Sequence, residues 1–140
     1  MKILNLIALL LVFNTTNAQI GYIGKTQEET VKLLKSCCPE TIIIKSNDDT
    51  LLVNRDGALA LFIYNNSKVT EITEMFDLAS KESVLKTLRE RYSESVFGFF
   101  YKEFKGEFYL IDYYESTEDN TFTIRTYKET ERIGVREIKN

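Results

Sequence analysis

The 140-residue chain has no histidine, no tryptophan, a single proline, six glycines and two cysteines. Without histidine there is no Ser-His-Asp or Cys-His nucleophile of the usual kind, and the commonest transition-metal ligand is missing. Two cysteines without histidine cannot fill a typical structural zinc site either. One proline leaves no Pro-rich linker, and no Ser-rich one replaces it, so the composition does not divide the chain. A formal net charge of −3 makes no electrostatic case for binding nucleic acid or an anionic membrane surface. Long apolar runs are equally scarce: one spans Ile3 to Phe13, and nothing later approaches it.

That run has the layout of a signal peptide. Met1-Lys2 supplies a basic start, an apolar stretch of about 11 residues follows, and Asn14 to Ala18 turns polar and small. A membrane-spanning helix needs about 20 apolar residues. Cleavage is expected after Ala18, with Thr16 and Ala18 in the small positions, leaving residues 19–140 as one domain, periplasmic or secreted, with no integral membrane segment. No cysteine follows the site to accept a lipid. The Ala18-Gln19 junction resembles those of exported proteins of the Bacteroidetes group.

Within residues 19–140 the pattern runs helix, strands, helix, strands. Thr26-Gln27-Glu28-Glu29 spells a capping box that starts a helix, whose apolar positions are Val31, Leu34 and Cys38, flanked by Leu33 and Cys37; Pro39 forbids its continuation. Short β-rich runs follow at 41–45, 50–54, 58–64 and 69–76, split by Asn/Asp/Gly turns. Asp77 and Ser80 are candidate caps for a second helix with Val84, Leu85, Leu88 and Tyr92 on one face. Three more runs, at 97–104, 107–114 and 121–127, complete the pattern, with Lys105-Gly106 as a tight hairpin turn. The expected architecture is α+β: an antiparallel sheet covered on one face by two helices, a possible tandem helix-plus-meander repeat. Its halves would be 19–76 and 77–127, with 128–140 a polar tail or edge strand.

Few residues invite chemistry. Gly24-Lys25-Thr26 ends like a phosphate loop, but Gly21 is too near and no adequate strand precedes it, so it reads as a turn and helix cap. The pairs Glu28-Glu29, Asp48-Asp49 and Glu118-Asp119 lack the alternation and glycine of a calcium loop and read as solvated residues. No catalytic residue, metal ligand or cofactor is expected.

Cys37 and Cys38 are adjacent, with Cα atoms ~3.8 Å apart, below the usual disulfide range of about 4.4 Å and up. Three readings stand: a buried apolar helix end with Cys37 at its margin, a strained and reducible vicinal disulfide, or a mixed disulfide with a partner. The aromatics crowd into 92–127. Alternation puts Phe97, Phe99 and Tyr101 opposite Phe100 and Phe104, and Phe108, Leu110 and Tyr114 opposite Tyr109, Ile111 and Tyr113. One of these faces packs under the helices; the other is either open to a protein partner or covered by further chain.

Gly24-Lys25-Thr26-Gln27-Glu28-Glu29-Thr30-Val31-Lys32-Leu33-Leu34, followed by Pro39, resembles the opening of β-lactamase-inhibitor-protein-like (BLIP-like) domains, with Cys37-Cys38 standing where those have glycine. The resemblance implies a small exported domain whose concave sheet binds proteins without catalysis. The expected function is accordingly a non-enzymatic protein-binding domain of inhibitor, immunity or envelope-accessory type, meeting another envelope or secreted protein. Tyr101, Tyr109, Tyr113 and Lys105 are the candidate binding residues, and Cys37 and Cys38 a candidate thiol site. The alternative is a small-ligand binder or enzyme with an aromatic-lined, acid-containing pocket.

Overall fold

In the computed structural model, which describes residues 18–55 and 57–129, Thr26 closes the capping box that its neighbours spell. The backbone N–H of Glu29 donates to Thr26 Oγ1 (3.3 Å), and the N–H of Thr26 donates to Glu29 Oε2 (2.9 Å). The helix so begun, α2 (Gln27–Cys37), follows a short α1 (Ala18–Tyr22) that periodicity does not reveal because it makes little more than one turn. Leu34 is buried and Val31 half-buried beneath α2, whereas Leu33 is exposed. The thiol pair departs from the buried-end reading: Cys37 is exposed and Cys38 half-buried, Cys37 being the last residue of the helix and Cys38 its cap.

Four strands follow: β1 (Ile42–Ser46), β2 (Thr50–Arg55), β3 (Ala58–Asn65) and β4 (Lys68–Asp77). The Asn47 side chain makes the β1–β2 turn by accepting from the backbone of Asp49 and Thr50 (3.0 and 2.8 Å). Asn66 and Ser67, at φ +51° and +64°, make the β3–β4 turn, with both central residues in the left-handed region that suits strand twist. A 3₁₀ turn (Leu78–Ser80) leads into α3 (Lys81–Arg91), which buries Leu85 and Leu88. Four further strands follow among the described residues: β5 (Ser93–Glu94), β6 (Phe100–Phe104), β7 (Glu107–Ser116) and β8 (Thr121–Lys128).

A strand expected from Phe97 is shorter than the apolar run. Gly98 takes φ +84°, and Ser95 Oγ accepts from the backbone N–H groups of Phe97 and Phe99, folding 95–99 into a turn with Phe97 exposed at its tip. The expected tail at 128–140 begins inside β8, which runs on through Lys128; its residues from 130, and the expected signal segment apart from Ala18, lie outside the described residues.

The eight described strands form one antiparallel sheet in the order β1-β2-β3-β4-β8-β7-β6-β5. The chain is an α+β fold, and two four-stranded meanders meet at its centre, where β4 and β8 pair from Glu71↔Tyr127 to Asp77↔Thr121. Register assigns every side chain to a face, since directly paired residues point the same way. Leu51, Phe62, Ile72, Thr126, Ile111 and Phe100 form one row across the sheet, and Val53, Ala60, Glu74, Ile124 and Tyr113 the next. Both rows lie under the helices. Leu34 and Tyr22 pack with Leu51, Val53 and Phe62 in one core; Leu85, Leu88 and Tyr92 pack with Phe100, Ile111 and Phe122 in the other. Ile20 belongs to the second core and Tyr22 to the first, so α1 spans the junction.

Candidate functional site

The opposite rows are Asn54-Leu59-Met75-Thr123-Tyr114, Leu52-Leu61-Thr73-Arg125-Asp112 and Thr50-Ile63-Glu71-Tyr127-Leu110-Tyr101. Neither core draws on these residues, and no described helix packs against this face. It is nonetheless apolar over most of its width. Leu52, Leu59, Leu61 and Ile63 are half-buried against one another, Met75 is exposed, and on the far side Tyr101 and Phe108 flank a buried Leu110. Tyr114, at 58% exposure, projects furthest of these aromatics.

A charged seam crosses the middle of the face. Arg125 on β8 donates to Asp112 Oδ2 on β7 (3.2 Å) and lies 3.9 Å from Glu71 Oε1 on β4. Its guanidinium also stacks over the Tyr127 ring at 4.7 Å, while the Tyr127 hydroxyl donates to Asp112 Oδ2 (3.2 Å). Burial opposes the Arg125 charge, but Tyr127, Glu71 and Asp112 outweigh it and raise the guanidinium pKa further. The Tyr127 phenol is raised as well, by burial and then by the Asp112 carboxylate. These groups are too exposed to add much stability. They fix orientation, holding a flat guanidinium and two carboxylates in known positions between two apolar fields.

The candidate residues from the sequence divide between the faces. Tyr101 is on the face that no described helix covers, half-buried. Tyr109 and Tyr113 are not: β7 alternation turns them toward α3. Tyr109 is 9% exposed in the core, and Tyr113 packs at 5.9 Å from Phe100 and 5.8 Å from Phe122. Lys105 stands at the β6–β7 hairpin tip at φ +51°, its ammonium 5.4 Å over the Phe104 ring, away from the seam. The seam residues Glu71, Asp112, Arg125 and Tyr127 have no local sequence signal because three strands supply them, and their meeting depends on β8 lying between β4 and β7. The alternation that separates Phe108, Leu110 and Tyr114 from Tyr109 and Tyr113 was the one available signal for the aromatics.

A cleft of about 520 Å³ opens at the end of the sheet beside α3, lined by Glu90, Arg91, Tyr92, Ser93, Tyr101, Lys102, Glu103 and Phe108. Lys102 Nζ lies 5.5 Å over the Tyr92 ring there. Among the described residues no three acidic, cysteine or histidine side chains converge as a metal site, and no helix is long and apolar enough to cross a membrane. Compared with known proteins, the chain matches no family model, no curated protein and no solved structure.

Proposed function

We propose that the chain is a non-enzymatic, exported protein-binding domain, and that the sheet face which no described helix covers receives the partner, another envelope or secreted protein. The supporting observation is the one-sided helix layer. Both cores lie on one face, while the other presents leucines, isoleucine, methionine and three tyrosines around the Arg125 seam. Aromatic and aliphatic area with a few oriented charges is the composition of a protein interface centre. Export rests on the N-terminal pattern, and the BLIP-like opening agrees with a sheet-mediated binding role.

A photo-crosslinking amino acid at position 114, on the uncovered face, and separately at Leu33, on the exposed side of α2, tests the assignment in cells that express the protein. One defined protein adduct from position 114, absent from position 33 and lost when Arg125→Glu is added, is the expected result. Equal adducts from both positions, or none from 114, would sink the proposal.

The cleft supports a second reading, a small-ligand site. Its lining combines Tyr92, Tyr101 and Phe108 with the carboxylates Glu90 and Glu103. Under this reading a Tyr101→Ser variant loses a small-molecule ligand detectable by thermal shift, while a Tyr114→Ser variant keeps it.

A further inference from the structure

Consecutive residues inside a helix point about 100° apart, so adjacent cysteines there cannot bring their sulfurs together. Here the helix ends between them. Cys37 is the last residue of α2, and Cys38, restrained toward extended backbone by the proline that follows it, leaves at φ −139°, ψ +76°. The cap is closed by the Cys38 N–H donating to the Leu34 carbonyl (2.8 Å) and by the Thr41 N–H donating to the Cys38 carbonyl (3.0 Å). The two Sγ atoms are thereby 3.0 Å apart at the protein surface. Tyr22 reaches Cys37 from the core side, its hydroxyl 3.6 Å from Sγ. Arg55 is near enough that both thiols bear on its charge.

Two outcomes are open to such a pair. A direct bond requires the sulfurs to close by roughly 1 Å to about 2.05 Å, across Cα atoms nearer together than disulfides normally bridge. A bridging atom requires the reverse: with sulfur bonds of about 2.3 Å and bond angles of about 90–110°, the sulfurs sit roughly 3.3–3.8 Å apart. The observed 3.0 Å separation reaches that range by opening a few tenths of an ångström, with no demand on the peptide. The bridging atom must be soft, to prefer thiolates, and content with two protein donors, because no third acidic, cysteine or histidine ligand joins them among the described residues. Zinc, which takes four ligands, is poorly served. A trivalent arsenic that keeps one carbon substituent needs two thiolates and no more.

We propose that Cys37 and Cys38 form a chelating dithiol for trivalent metalloids of the monosubstituted class, R–As(OH)₂ and its analogues. Two S–H and two As–O bonds are replaced by two As–S bonds. The thiol protons leave with the hydroxyls as two waters, and arsenic stays trivalent throughout. The site is separate from the sheet face and does not depend on the partner-binding reading.

Phenylarsine oxide, hydrated in water to the dihydroxy form, is the probe. The full-length mature protein is first reduced with a phosphine, which is then removed, and adducts are read by intact mass. One phenylarsenic group per chain is expected, resisting excess monothiol and released by a dithiol. Cys37→Ser and Cys38→Ser should each weaken the adduct by about 10²–10⁴-fold, the usual worth of making a second attachment intramolecular. Pro39→Ala, which keeps both thiols but lets the helix continue, should weaken it measurably while circular dichroism shows the fold intact. Retention of the adduct by either serine variant, release by monothiol, or closure to a disulfide in preference to arsenic would overturn the proposal.

Discussion

Glu74 stands on the helix side of β4, between Ala60 on β3 and Ile124 on β8, and its carboxylate is paired with Arg55 at 3.2 Å. The side chains are 5% and 11% exposed, so both charges have left water. Burial raises the Glu74 pKa, with Arg55 opposing; burial is also the largest influence against the Arg55 charge, but Glu74 together with Tyr22, Cys38 and Cys37 outweighs it and the guanidinium is raised. The folded carboxyl therefore holds its proton to a higher pH than the unfolded one. Stability should be lost as pH rises from the ordinary carboxylate range through the raised folded value. Removing one partner is a different matter from removing the charge cost. Glu74→Gln leaves a buried guanidinium without its anion and should destabilise by about 3–5 kcal/mol at neutral pH. The pair Arg55→Met with Glu74→Leu should lie within about 2 kcal/mol of the parent, and its urea midpoint should lose the downward slope with pH. Additive losses in the double variant would show that the two residues act separately.

At the level of elements, the sheet's two edges are unlike. β5 offers two residues and ends the sheet bluntly, whereas β1 offers five, with Ile42, Ile43 and Ile44 exposed at 65%, 42% and 52%. A hydrophobic edge strand with open backbone groups invites another strand. Ile44, where the register with β2 shifts, can carry a charge without disturbing either core. Ile44→Lys should raise the concentration at which light scattering first appears on warming, while changing the unfolding free energy by less than about 0.5 kcal/mol. Unchanged scattering would remove β1 as the site of self-association. The two longer helices, α2 and α3, and most strands are legible because their signals are local: Thr26 and Glu29 are three residues apart, Pro39 stops one helix, and Asn/Gly turns separate the strands. α1 was missed because one turn has no period. The strand from Phe97 was misjudged because Gly98 and Ser95 turn the chain where its hydrophobicity says to continue. Which face of β7 is covered could not be read from β7 at all; it is decided by where α3 lands, and so Tyr109 and Tyr113 went to the wrong side while Tyr101 did not.

Across the whole molecule, the last described strand is the central one. β8 lies between β4 and β7, so the first four strands meet the rest only when residues near 71–77 find residues near 121–127. Neither meander has a complete sheet until that pairing forms, and α1 binds the two sides again by placing Ile20 in one core and Tyr22 in the other. The partner face has the same dependence, because its seam takes Glu71 from one meander and Asp112, Arg125 and Tyr127 from the other. The two cores should therefore melt as one. Ile72→Val in the first and Ile111→Val in the second each remove a buried methylene and should cost about 0.5–1.5 kcal/mol. If the halves are coupled, both variants shift a single urea transition, tyrosine fluorescence and far-UV circular dichroism superimpose, and the m-value stays constant. A half that folded alone would instead leave one part of the transition unmoved by the distant substitution, and the seam would then assemble only after both halves had formed. Coupled melting means that any change loosening β4 from β8 dismantles the core and the binding face together, which is why loss of binding in a seam variant must be read beside its stability.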